Sequence, residues 1–144
     1  MPGIELTAHG FDQAAKKIAG IGERGRDARP AMREITLVIL KGEQAFWGRH
    51  GGAKWPLRAD GTPAGVKTGA LRDSLTKMYA PGAIRKIERD GLVFGTTLWY
   101  SRFMYGTKVR GQEHSPRRPI LVLRPVDRKR TRTILADFLR GDLK

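Results

Sequence analysis

Apolar and polar positions along the chain fall into patterns that change four times. Ile4-Glu5-Leu6-Thr7-Ala8 alternates, as a short strand does. From Gly10 the spacing becomes three and four, with Phe11, Ala14, Ala15, Ile18 and Ile21 on one side of a helix. Gly20, Gly22 and Gly25 are expected to end or loosen it. The strongest helical signal follows Arg29-Pro30. Proline suits a first turn, where its missing N–H has no helical partner anyway. Met32, Ile35, Val38, Ile39, Gly42 and Phe46 then share a face up to the neighbourhood of His50, which predicts a long helix as the spine of the core.

Residues 51–69 are rich in glycine and proline and show no period, so they read as an extended loop or arm. A structureless segment this long inside a small domain suggests a task such as reaching a neighbour. Ala70 to Ser74 can make one helical turn. Leu75 to Ala80 is rich in β-formers. Ile84–Glu88 and Leu92–Thr96 flank Arg89-Asp90-Gly91, a tight-hairpin signal, and a three-stranded antiparallel meander is the simplest expectation. Trp99 to Gly106 is aromatic-dense and reads as a short helix or turn, and residues 107–119 as a second, basic loop. Ile120 to Leu123 is a short apolar strand. Pro125 then opens a last helix with Thr131, Ile134, Leu135, Phe138 and Leu139 as its stripe. The expectation is one α+β domain over residues 1–144: two N-terminal helices, a small antiparallel sheet with a hairpin, and a C-terminal helix.

Composition narrows what such a domain can do. With 40% hydrophobic and 29% charged residues in 144, the chain can bury a core. It has no cysteine, which excludes disulfides, thiolate metal sites and cysteine nucleophiles. No apolar run approaches the roughly 18–20 residues of a membrane span, and the first residues lack a signal-peptide pattern, so the protein is expected to be made and kept in a cytoplasm, away from membranes.

The 28 Lys and Arg against 14 Asp and Glu give +14. Residues 1–50 carry 8 basic and 6 acidic side chains, residues 51–90 carry 8 and 4, and residues 91–144 carry 12 and 4. More than half the imbalance therefore sits in the C-terminal third. A field of this kind favours a polyanion, nucleic acid above all, or an acidic protein surface; a solvated basic face is the plain alternative. Its clusters are Arg117 and Arg118, then Arg128, Lys129, Arg130 and Arg132. On a helix positions 128 and 132 share a side while 129 and 130 spread the charge, which suits phosphate contact without base reading. No helix-turn-helix, zinc-finger or RNA-binding aromatic motif accompanies them.

Catalytic patterns are missing. His9, His50 and His114 are scattered, with no second ligand at metal spacing. Gly20-Ile21-Gly22-Glu23-Arg24-Gly25 matches a dinucleotide fingerprint in letters but lacks the strand-to-helix frame that gives it meaning. Ser74, Ser101 and Ser115 lack a nucleophile elbow. Nothing in the spacing of Asp12, Glu43, Asp60 or Asp73 argues for a nuclease. The chain is expected not to be an enzyme and to need no cofactor or metal.

Several segments in order carry a resemblance. Phe46 ends the long helix. Then come Gly52-Ala53-Lys54-Trp55-Pro56-Leu57, Thr62, and Lys67-Thr68-Gly69-Ala70-Leu71-Arg72-Asp73-Ser74-Leu75. Val93-Phe94-Gly95-Thr96, Tyr100, Tyr105-Gly106 and Arg118-Pro119-Ile120-Leu121 follow. Over about residues 35–140 this run resembles the phage virion morphogenesis family, the tail-completion proteins of tailed bacteriophages. The family's His-Gln pair before its aromatic-glycine step is replaced here by Phe103-Met104, so no role of that pair is carried over.

The resemblance implies a structural virion protein of the head–tail connection, a tail-completion, tail-terminator or neck protein assembled in the host cytoplasm. It implies rings, commonly of six subunits, around the channel through which DNA passes, and other phage neck and tail proteins as neighbours. On that reading Trp55, Pro56 and Leu57 either anchor their loop on its own domain or touch the next subunit. Arg117, Arg118, Arg128, Lys129, Arg130 and Arg132 are candidates to face DNA or another polyanion. A free-standing, non-sequence-specific nucleic-acid-binding protein is the alternative.

Overall fold

A computed structural model describes residues 9–48, 61, 69–105, 107–109, 112–115, 120–121 and 123–143. The expected first strand at residues 4–8, nearly all of the 51–69 segment, and Arg117 and Arg118 lie outside the described residues. The architecture is α+β. Helix α1 is His9–Gly25, α2 is Arg29–Gly48, α3 is Ala70–Thr76 and α4 is Pro125–Arg140. Strands β1 (Ala83–Ile87) and β2 (Leu92–Thr96) form an antiparallel hairpin, and β3 (Thr107–Val109) and β4 (Gln112–Ser115) form a second, separate pair.

Helix α2 is the spine: α3, α4, β1 and β2 all pack against it. Its buried side is Ala31, Ile35, Thr36, Leu40, Gly42, Glu43 and Trp47. This differs from the apolar stripe expected from the sequence. Met32, Val38, Ile39 and Phe46 are only half-buried, because the side facing the other elements includes two polar residues. Thr36 satisfies its hydroxyl locally by donating to the Met32 carbonyl at 2.7 Å. Trp47, Leu71, Leu75 and Ile120 form the centre of the core, with Phe46, Phe94, Leu98, Tyr100 and Met104 packed on it.

Three local expectations need correction. Residues 75–80 are not a strand. Leu71, Ser74 and Leu75 are buried at helical spacing, so α3 runs to Thr76 and the chain turns afterwards. The expected meander is therefore a two-stranded hairpin, in register from Ala83 opposite Thr96 to Ile87 opposite Leu92. The expected loop at 107–119 contains the β3–β4 pair, whose strands of three and four residues are too short to leave a periodic signal. Of the strand expected at 120–123, the described residues Ile120, Leu121 and Leu123 are not in a strand. Ile120 is buried in the core while Leu121 and Leu123 are exposed, and Arg124 adopts the extended conformation that a following proline demands. Helix α1 runs through Gly20 and Gly22 and ends at Gly25, one of the three glycines expected to end or loosen it.

The described motif segments interlock. Gly69 starts α3 at φ 72°, a backbone conformation that glycine adopts without cost. Ser74 Oγ lies 2.7 Å from the Leu71 carbonyl and 2.8 Å from Thr96 Oγ1, which ties α3 to β2. Arg85 completes the junction. Its guanidinium donates to the carbonyls of Ile84, Gly95, Ser74 and Lys77 at 2.8–3.1 Å and sits 3.7 Å over the Phe94 ring. Burial pulls the Arg85 pKa below the ordinary arginine value, and the charge of Glu43 acts in the other direction.

Candidate polyanion-facing surface

Helix α4 is fixed to the body by an acid. Asp127, in its first turn, is buried to 1% exposure and accepts from Arg124 Nε at 2.7 Å and Nη2 at 3.1 Å. That contact holds the Arg124 guanidinium above its ordinary pKa. The carboxylate seats against α2 at Gly42, where an added Cβ would lie 2.9 Å from Asp127 Oδ2. A glycine in mid-helix costs about 1 kcal/mol against alanine, and here it makes room for the docked acid. Ile134, Leu135, Phe138 and Leu139 are half-buried along the same helix.

The rotation set by Asp127 decides where the cations go. Arg128, Lys129, Arg130 and Arg132 are all exposed. At 3.6 residues per turn they cover an arc of about 200° on the side away from Asp127, with Arg128 and Arg132 one turn apart. None of the four is in an ion pair with a described residue. Of the four only Arg128 lies within the first turn, where the positive end of the helix disfavours a cation by roughly 0.3–1 kcal/mol.

Other candidates are placed differently. Trp55, Pro56, Leu57, His50 and Asp60 lie outside the described residues, as do the side chains of Asp12, His9, His114, Phe103 and Tyr105. Trp99 is 69% exposed, whereas Tyr100 packs on the core. Glu43 is buried within α2. Asp73 sits 2.8 Å from Lys77 and 3.3 Å from Arg72, and chiefly the Lys77 contact lowers its pKa. Among the described residues no group of three or more His, Cys, Asp or Glu is placed to hold a metal, and no helix is long and apolar enough to cross a membrane.

No family model, curated protein or solved structure matches the chain. A cavity of about 370 Å³ lies between the C-terminal ends of α1 and α4, lined by Lys17, Ile21, Arg24, Arg140 and Asp142. Its cations have a structural explanation. Arg24 Nε donates to the Leu139 carbonyl at 2.7 Å, and both helix ends present carbonyls that favour positive charge. The α4 surface has no such explanation. The sequence points to the four cations, to Asp127 near the start of the last helix, and to Gly42 and Glu43 on α2, but not to Arg85 nor to the seating of Asp127 against Gly42; the one available sign of that seat was Arg124 and Asp127 at i,i+3.

Proposed function

We propose that this chain is a non-enzymatic structural subunit at the head–tail connection of a tailed-phage particle, one copy of a ring around the DNA channel. The observation that carries the proposal is the exposed cationic arc of α4, on the side of the helix away from the buried acid that anchors it. Charge spread around a cylinder contacts phosphates of any sequence, as a surface beside a moving duplex must. The ordered motif run supports the family resemblance. Three of its members, Leu71, Ser74 and Thr96, join α3 to β2, so they act as parts of one fold rather than as separate signals.

Deleting the gene from the phage that carries it is the test. The expected result is heads and tails that stay separate, or tails left unfinished. Joined, infectious particles in its absence contradict the proposal.

The same arc favours the second reading, a free nucleic-acid-binding protein. Four phosphate contacts give a slope of about −3.6 in log affinity against log salt. A free binder shows that slope at submicromolar affinity as a single subunit, whereas a ring subunit binds DNA weakly alone.

A further inference from the structure

The cavity between the ends of α1 and α4 gathers positive charge from both helices. Lys17, Ile21 and Arg24 follow one another at spacings of four and three, so they share one side of α1 and form one wall. Arg140 and Asp142, at the end of α4, form the other. The described lining thus holds three cations and one acid. Lys17 has no ion pair with a described residue, and Arg140 reaches Asp137 only at 3.6 Å on an exposed surface.

Arg24 is the fixed part. Its Nε donates to the Leu139 carbonyl at 2.7 Å. Its guanidinium lies against two bare stretches of backbone. A Cβ added at Gly20 would meet Nη1 and Nη2 at 3.2 Å, and one added at Gly141 would meet Cζ and Nη1 at 3.3 Å. Gly141 is required by its own φ of 86°, but Gly20 lies inside a helix, where glycine is unfavourable against alanine. The Leu139 carbonyl and the helix ends account for Nε and for the sign of the charge. They leave Nη1 and Nη2, which donate to no described residue.

We propose that this cavity binds a phosphate group, held by Lys17, Arg24 and Arg140. A guanidinium with both terminal nitrogens open grips an oxyanion through the pair, and an ammonium adds a point charge beside it. A phosphate presents oxygens in four directions and can meet cations on both walls at once, whereas a carboxylate presents two in one plane. About 370 Å³ leaves room for the group that carries the phosphate. The C-terminal end of a helix repels anions, yet the last carbonyls of α4 are occupied. Leu139 accepts from Arg24, Phe138 from the Gly141 N–H at 3.0 Å, and Asp137 from the Asp142 N–H at 2.7 Å. The cavity shares no described lining residue with the outer arc of α4, and the proposal does not depend on the head–tail reading.

Isothermal titration calorimetry of the full chain with sodium phosphate tests this, against sodium chloride at equal ionic strength. Phosphate is expected to bind and chloride is not. Lys17→Gln and Arg140→Gln are each expected to weaken phosphate about 5-fold, and Asp142→Asn to tighten it about 3-fold. Lys41→Gln, on α2, should leave it unchanged. All four residues are exposed, so the variants fold, and circular dichroism checks this. Duplex DNA identifies the source of the phosphate. If the site takes a backbone phosphate, Lys17→Gln lowers the log–log salt slope of duplex binding by about 0.9. If it takes a free phosphate or a small phosphate ester, that slope is unchanged while the calorimetric loss remains. Phosphate heats no different from those of chloride overturn the proposal. So do Lys17 and Arg140 variants that both bind phosphate like the wild type.

Discussion

Helices α1 and α2 look alike in sequence and end up in opposite situations. Both are long, both carry apolar residues at three- and four-residue spacing, and both follow the same rule for choosing a face. Helix α2 is enclosed by α3, α4, β1 and β2, and its buried side takes in Thr36 and Glu43 along with Leu40 and Trp47. Helix α1 is held at its end, and its stripe faces outward. Periodicity therefore says that a helix has a face, and not what covers it. Coverage is a property of the rest of the chain, or of another chain.

Substitution of equivalent residues should expose this difference most sharply. Leu40→Ala on α2 is expected to destabilise the chain by about 2–5 kcal/mol, as truncation in a packed core does. Ile18→Ala on α1 should stay within about 0.5 kcal/mol for the single subunit. Urea unfolding of both variants at a concentration below assembly checks the contrast, and equal losses would mean that α1 is packed as α2 is.

Next in size is the α2–α4 seat. Gly42→Val pushes a side chain onto a carboxylate that Arg124 already holds, and the expected loss is about 1–3 kcal/mol. The same substitution at Gly22 of α1, where an added Cβ meets nothing within 4 Å, should not lower stability through crowding. Thermal melts of the pair separate the two sites.

The outer side of α4 should behave like α1 in stability but not in binding. Replacing Arg128 and Arg132 together by Glu is expected to leave the single subunit at least as stable, with a gain of about 1 kcal/mol from the acid placed at the positive end of α4. It should also flatten the salt dependence of duplex-DNA binding by about 1.8 in log–log slope. Filter binding at several salt concentrations reads this directly, and an unchanged slope removes those two residues from the phosphate contact.

The smallest effect lies in the linker between α1 and α2. The Arg29 guanidinium beside Asp27 lowers that carboxyl to about 2. A carboxylate depressed in the folded state adds stability above its ordinary pKa near 4 and loses it as the pH falls towards 2. An NMR titration of the Asp27 carboxyl is expected to show its midpoint near 2, and a midpoint near 4 would show the pair to be open in solution.

The sequence made most of this fold legible where the pattern is long. Sixteen to twenty residues of helical spacing identified α1, α2 and α4, and Asp90-Gly91 identified the β1–β2 turn. Short or polar determinants were hidden. Residues 75–80 are β-formers by type, yet Leu75 belongs to the core through α3 and Tyr79 is almost fully exposed. Arg85 reads as one of two adjacent strand cations, but the pleat puts it opposite Phe94 and sends Lys86 out to pair with Glu88. Glu43 and Asp127 are acids by letter and buried by position. Of the candidate surface, the charge on α4 was legible because charge is local. The support beneath it was not, since it depends on where α2 meets α4.

Because the chain has no cysteine, a single one can carry a photo-crosslinker in assembled particles. Lys129→Cys, on the outer arc of α4, should crosslink to the packaged DNA without sequence preference, while Leu37→Cys, exposed on α2, should not. Crosslinks from position 129 to protein alone, with DNA untouched, would contradict a channel-facing role for α4.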